Sequence, residues 1–369
     1  MPDNRFIPQM EPCFGVDEKA EINRYLDEGG WFTEFKRTSQ FEAELAHYTG
    51  AKHCIVVNNG TVSLTLAALA VGLKPGDEVI VPNFTMIATP NSVKMIGCVP
   101  VFVDVEPDTL CMDITQVDNA ITSRTKALML VTANGRYPKA GIAAFETLCT
   151  DRNFHLIEDA AQSLGSRYPD GRHIGTAGAL GSFSFSAPKV ISTGQGGALV
   201  TNSDELAGRV RKLKDFGRAG GGNDVHDSLG YNFKFTELQA CVGLAQMRQL
   251  AWRVERKKEI YRLYRRQLSG CQRVKFFDQD LDCTTPWFID VLADDRDGLM
   301  QFLKAKGVGT RPMYPPINKQ KAYQVPGEHP ISNIVGEKGL WLPSASQLTD
   351  EQIQTVCAWI LHYYAHGPS

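Results

Sequence analysis

The sequence predicts an α/β fold: a mostly parallel central sheet sandwiched by helices, with a smaller α+β unit after it. Three observations carry this. Seven short apolar runs recur between residues 53 and 201, several of them separated by helix-length segments. The runs are near-continuously apolar rather than alternating, as strands buried on both faces are. Beyond residue 270 the texture changes to isolated strands, a proline-rich loop and a final helix.

Taken in order, residues 1–35 form a leading segment. Helical spacing runs over 16–26, Gly29-Gly30 breaks it, and Trp31-Phe32-Thr33 follow in a loop. Residues 41–48 form a short amphipathic helix closed by Gly50. The strands are HCIVVN (53–58), EVIVP (78–82), PVFVD (100–104), KALMLV (126–131), FHLIE (154–158), GSFSF (181–185) and GALVT (197–201). Helices are expected at 60–73, 85–96 and 142–152. Residues 204–268 read as helical, with one long basic helix over 235–266 whose cations form a solvated face. Further on come a strand within 287–293, a helix over 297–306 and a last helix over 350–364. The division is a large domain over 1–250 and a small one over 251–369.

Composition excludes several classes. Apolar residues make up 43%, enough for a large core, and the formal net charge of −2 gives no support to a nucleic-acid partner. No apolar run reaches membrane-span length and the N-terminus has no signal-peptide core, so a cytoplasmic protein with no membrane partner is expected. The nine cysteines are scattered, with no C-x-x-C pair, which speaks for reduced thiols and against a metal site.

In such sheets ligands sit beyond the carboxyl ends of the strands. Asn58-Asn59-Gly60, Pro82-Asn83-Phe84, Asp104, Asp159 and Ser186 fall there. Gly60-Thr61 opens a helix directly after a strand, where free amides and the helix dipole favour an anion; a plain N-cap gives the same pattern. Asp159 ends a strand, either as a capping acid or as the partner of a ring nitrogen, with Gln162 one turn on. Lys189 lies five residues after Ser184 in a loop of small and hydroxyl residues, where burial would help to supply a neutral amine. A surface lysine is the plain alternative. The order anion site, Asp, Ser, Lys along the ends of one sheet is an arrangement that can hold pyridoxal phosphate.

GDEVIVPNFTMIATPNSV, PVFVDVEPDT, IEDAAQSLGS, GSFSFSAPKVISTGQGGALVTN, LKDFGR and LGYNFKFTELQACVGLAQM together resemble the sugar aminotransferase family (DegT/DnrJ/StrS type) of the fold-type-I pyridoxal phosphate enzymes. The resemblance covers nearly the whole chain. Within the family the lysine loop and TRPMYPPINKQKAY are most similar to perosamine-synthase-type C4 aminotransferases. The resemblance implies that Lys189 is the Schiff-base lysine, Asp159 the acid at the pyridine nitrogen and Gln162 the residue near the ring hydroxyl. Gly60, Thr61 and Ser184 are implied as phosphate contacts, and Met86 as the ring-stacking position, where relatives usually carry an aromatic. Asn232 is implied to reach the phosphate of the other subunit, hence a homodimer with shared sites. Arg311 and Tyr314 stand as candidates near the nucleotide-sugar substrate, or as loop residues. The family's histidine turn is replaced here by Asn134-Gly135-Arg136, and Arg136 could bind a substrate anion or face solvent.

The implied reaction is a ping-pong transamination. L-Glutamate leaves as 2-oxoglutarate, the cofactor passes through its pyridoxamine 5'-phosphate form, and the amino group goes to a nucleotide-linked 4-keto-6-deoxysugar. A C3 aminotransferase, a C3 dehydratase (in which a histidine replaces the lysine) and a non-catalytic binding protein on the same fold are the alternatives. No G-x-G-x-x-G follows the first strand, which argues against a nicotinamide enzyme; the glycine-rich stretch 217–222 reads as a loop.

Overall fold

A computed structural model describes residues 6–220 and 224–367, so the end of the glycine-rich stretch at Gly221-Gly222 lies outside the described residues. Seven strands build the large sheet: β1 (His53–Val57), β2 (Glu78–Pro82), β3 (Val99–Val103), β4 (Thr125–Val131), β5 (His155–Asp159), β6 (Leu180–Ser184) and β7 (Gly197–Thr201). Their order is β1-β7-β6-β5-β4-β2-β3. Only β7 runs against its neighbours; the remaining pairs are parallel.

The apolar runs have their explanation in the two faces. Along β4, Leu128 and Leu130 enter one core cluster, with Phe41 and Phe145. Ala127 and Met129 enter the opposite one, with the helix Gly60–Ala70. A strand covered on both sides has no polar face to alternate with.

The small sheet comprises β8 (Val274–Phe276), β9 (Ile289–Ala293), β10 (Arg311–Pro312) and β11 (Gly339–Leu342), in the antiparallel order β10-β11-β9-β8. One face, with Ile289, Val291 and Leu342, packs on the helices Leu250–Gln267 and Asp350–His366. Phe288 and Trp341 join Trp287 in a cluster with Phe84 and Ala133, at the strand-end side of the large sheet. Ile7 belongs to the C-terminal core, bridged to Val308.

Two expectations are corrected. The 235–266 helix is two helices, Glu237–Arg248 and Leu250–Gln267, meeting at Gln249. Its cations are not one solvated face. Arg253 and Lys257 are buried, whereas Arg248, Arg256 and Arg262 pair with Glu21, Asp350 and Glu255. β8, β10 and β11 are two to four residues long, too short for periodicity to show.

Candidate active site

The anion end is built by close approach of three strand ends. Asn59 caps the helix Gly60–Ala70 by accepting the Val62 amide at 2.9 Å. Gly60 and Thr61, as its first residues, have no intrahelical acceptor for their N–H groups. A Cβ on Gly60 would stand 2.9 Å from the Ser184 Cβ, and one on Gly197 would stand 2.6 Å from the Asn59 carbonyl oxygen. Glycine is therefore required at 60 by its neighbour rather than by its backbone angles. The outcome is a helix N-terminus with a serine hydroxyl beside it, a setting that favours an anion.

The acid lies at the end of β5. Asp159 is buried. Its Oδ2 accepts from the Thr89 hydroxyl at 2.7 Å and its Oδ1 from the Ala161 amide at 3.2 Å. Burial raises its carboxyl above the usual range, while these two donors and the Lys189 charge pull it back down. The neighbouring Glu158 points to the other face and is used up in structure: its oxygens accept from the Tyr168 hydroxyl and the amides of Gly175, Ala177 and Gly178. Alternation along the strand thus separates a site acid from a scaffold acid.

The lysine lies in the turn after β6, its amide bonded to the Ser186 carbonyl at 3.0 Å. Burial pushes its ammonium down to about 8, with the Asp159 carboxylate opposing. The Lys189 Nζ stands 4.0 Å from the ring centroid of Trp287, whose indole N–H donates to the Pro188 carbonyl at 2.7 Å.

One cavity of about 290 Å³ collects Gly60, Thr61, Met86, Asp159, Gln162, Ser184, Lys189, Arg311 and Tyr314. These are nine of the twelve residues singled out in the sequence. The other three lie elsewhere. Arg136 is buried, with its guanidinium fork on Asp290 and its Nε donating to the Thr109 carbonyl at 2.7 Å. It neither faces solvent nor lines the cavity, so the substrate role is withdrawn: the fork is filled from inside the protein. Asn134 is likewise buried, its side chain bonded to Phe288 and Asp290, and it touches the site only through its amide, which donates to Gln162 Oε1 at 2.6 Å. Asn232 is exposed, beside Asp215, and does not reach this chain's own cavity.

Nearly the whole chain matches known proteins. Residues 12–361 fit the DegT/DnrJ/EryC1/StrS aminotransferase family. The chain belongs to this family. The GDP-perosamine synthase of Vibrio cholerae is 33% identical over 366 residues, covering 97% of this chain and 99% of the relative. That of Escherichia coli O157:H7 is 34% identical over 365 residues, covering 98% and 99%. DesI, solved in the presence of its TDP-sugar product, superposes with a TM-score of 0.91 at 30% identity, covering 99% of this chain and 94% of that one. The protein is an aminotransferase of this family, on the α/β sandwich that the sequence predicts.

Two residues that touch the candidate site were not marked by sequence patterns: Thr89 bonds Asp159, and Trp287 lies against Lys189. Thr89 lies in a helix, where a threonine carries no signal. Trp287 lies about a hundred residues downstream of Lys189, two residues before β9, and no spacing rule joins them.

Proposed function

We propose that the protein moves an amino group from L-glutamate to a GDP-linked 4-keto-6-deoxysugar, using pyridoxal 5'-phosphate held by Lys189 and Asp159. The observation that carries this is one cavity in which an amine, a carboxylate and a helix N-terminus face one another, in a chain one-third identical to GDP-perosamine synthases over nearly its whole length. The cavity's residues fit this cofactor. Gly60, Thr61 and Ser184 offer amides and a hydroxyl to a phosphate. Asp159 offers a carboxylate to a ring nitrogen. Gln162, whose Oε1 is engaged by Asn134, has its Nε2 donor left for a ring oxygen.

When bound, pyridoxal phosphate supplies an electron sink for the charge left as an amino acid loses its α-proton. The protein does the rest. Lys189 would hold the cofactor through its amine, and that amine would carry the proton taken from the donor's α-carbon. Held near 8 by burial, it is neutral in part at physiological pH, as a base must be. Asp159 keeps a proton on the ring nitrogen. The C-terminal residues Arg311 and Tyr314 close one wall, where we place the nucleotide-sugar, and Met86 lines the cavity, where its thioether would offer a soft contact to a ring face.

Asn232 acts, in this reading, on the phosphate end of a partner's site in a homodimer. The surface around it supports this. Trp31, Phe32, Phe35, Phe216, Tyr231 and Leu229 are exposed. The 31–35 turn is also fixed rather than loose, because Glu237 accepts the amides of Phe35, Arg37 and Thr38. Thr33 bridges Thr236, four residues from Asn232. A second copy of the chain would cover such a patch. We place the enzyme in the cytoplasm, which suits its nine free cysteines. Among the described residues no helix is long and apolar enough to cross a membrane. We divide the chain at residue 250, on the separate clusters of its two sheets.

The deciding experiment incubates the enzyme with glutamate and a panel of GDP-, UDP- and dTDP-linked 4-keto-6-deoxysugars and reads the product by mass. Amination of the GDP-linked sugar is expected. Turnover confined to another carrier, or to a C3 ketone, overturns the substrate. Borohydride should fix the cofactor on Lys189 in the native protein and fail in Lys189→Ala; attachment in the variant overturns the lysine.

A further inference from the structure

We infer that Trp287 is a positioning residue for Lys189: its ring face shelters the amine, and its indole N–H pins the residue before it in the chain. The inference rests on Lys189 being the reacting amine of the proposed function.

The contact is double. The Lys189 Nζ lies 4.0 Å from the Trp287 centroid, and the indole nitrogen donates to the Pro188 carbonyl at 2.7 Å. One side chain thus holds both the amine and its backbone. Trp287 itself is only 3% exposed and its peptide is held from both sides. Lys257 donates to the Trp287 carbonyl at 2.8 Å and also to the Ser344 carbonyl. Asn134 donates to the Phe288 carbonyl at 2.8 Å and accepts its amide at 2.6 Å. The ring stacks on Phe288 at 3.9 Å and meets Trp341 edge-on at 5.8 Å. A ring fixed this firmly loses little freedom when a cation settles on it.

The chemistry explains why an indole suits this position. A lysine that moves protons must be neutral before each transfer and cationic after it. Burial alone favours only the neutral form. The face of an indole attracts the ammonium without taking its proton and without an ion pair that must be broken. Among the described residues Asp159 supplies the carboxylate that faces the amine, and it is engaged by Thr89 and Ala161. The other charged or titratable groups lining the cavity are Arg311 and Tyr314. Arg311 lies over Trp341, 5.4 Å from its ring, and burial holds the Tyr314 phenol protonated, well above its usual pKa. Trp287 is therefore the neutral group that lowers the cost of charging Lys189.

The test uses the full-length protein freed of carbonyl compounds, with cyanate as the probe. Carbamylation of Lys189 is followed by peptide mass spectrometry from about pH 6 to about pH 10, a window that spans a depressed lysine. Native protein should show a midpoint near 8. In Trp287→Leu the midpoint should fall by about half a pH unit, roughly a threefold loss of proton affinity. Trp287→Phe keeps a ring face and should keep the midpoint, yet without the indole N–H it should speed hydrogen exchange of the 186–191 amides. A midpoint that stays or rises in a folded Trp287→Leu overturns the inference. If that variant does not fold, the phenylalanine variant decides: a lowered midpoint, or unchanged exchange, overturns it. Native protein that borohydride cannot label at Lys189 sinks the cofactor assignment instead, so the two failures are told apart.

Discussion

Arg136 and Asp290 meet in a buried, two-pronged ion pair: Nη2 to Oδ2 at 2.7 Å and Nη1 to Oδ1 at 3.1 Å, with 3% and 1% of the side chains exposed. The pair ties the turn after β4 to β9, and so ties the two sheets together. Breaking it leaves a buried carboxylate with the Asn134 amide group as its remaining donor. Arg136→Ala should cost about 3–5 kcal/mol, read as a lowered urea midpoint at unchanged slope. Arg136→Met with Asp290→Leu should recover most of the loss, since an apolar pair of similar volume can replace a buried ion pair. A stable Arg136→Ala with a raised KM for either substrate would return Arg136 to the substrate-binding role.

Lys257 offers a prediction in pH. It is fully buried, burial and the Arg253 charge push its ammonium down to about 7, and its partners are carbonyls. Between about 7 and the ordinary lysine value near 10.4 the unfolded chain binds a proton that the folded chain does not. Stability contributed by this group therefore rises with pH through that window and is lost below it. Lys257→Met should flatten this rise in unfolding free energy, measured by urea at a series of pH values. A slope identical to that of the native protein would show that Lys257 stays charged, stabilised by its two carbonyls.

The strands were legible because each is a run of apolar residues bounded by turns, and both faces of the large sheet are covered. The site was legible where chemistry sits at strand ends, as with Asp159, Ser184 and Gly60. Resemblance to the family added what local pattern left open at Gln162 and Lys189. What stayed hidden is long-range. Trp287 joins Lys189, and Asn134 joins Phe288, across two sheets. A buried arginine and an exposed one look alike in a sequence, which is why Arg136 was open to a substrate role until Asp290 stood beside it.

Gly60 should resist even the smallest substitution. A Cβ there stands 2.9 Å from the Ser184 Cβ and 3.1 Å from its Oγ. Gly60→Ala should force the helix start and β6 apart and cost about 1–3 kcal/mol, the range for overpacking a filled site. Ser184→Gly in the same chain removes both atoms and should restore stability in a thermal melt, though not the proposed phosphate contact. A single variant as stable as the native protein would mean that the helix start can shift freely.

The proposed shared site is checked by mixing. Lys189→Ala and Asn232→Ala should each be inactive, or nearly so, alone. After subunit exchange, a mixed dimer carries one site with Lys189 from one chain and Asn232 from the other, so part of the activity should return. Exchange demonstrated by mass, with no activity regained, would remove Asn232 from the partner's site.

Thr89 sets the state of Asp159. Its hydroxyl donates to Asp159 Oδ2 at 2.7 Å, so the Thr85 hydroxyl, 2.8 Å away, must donate to Thr89 in turn. Burial raises the Asp159 carboxyl, and the Thr89 bond is the largest influence pulling it back. Thr89→Val keeps the volume and removes that donor, leaving the Ala161 amide and the Lys189 charge to hold the carboxylate. The carboxyl should then titrate at higher pH. A protonated Asp159 cannot hold a ring-nitrogen proton, so cofactor binding should fall off as pH drops, and it should do so earlier in the variant. A hydrogen bond to a charged group is worth about 1.5–3 kcal/mol, so at a pH on that acid limb Kd should rise roughly tenfold or more. Thr89→Ser retains the hydroxyl and should bind much as the native protein does. Absorbance titrations of pyridoxal phosphate at several pH values give both quantities. Should Kd and its acid limb be the same in the valine variant, the carboxylate is held by Lys189 and the Ala161 amide without help from Thr89.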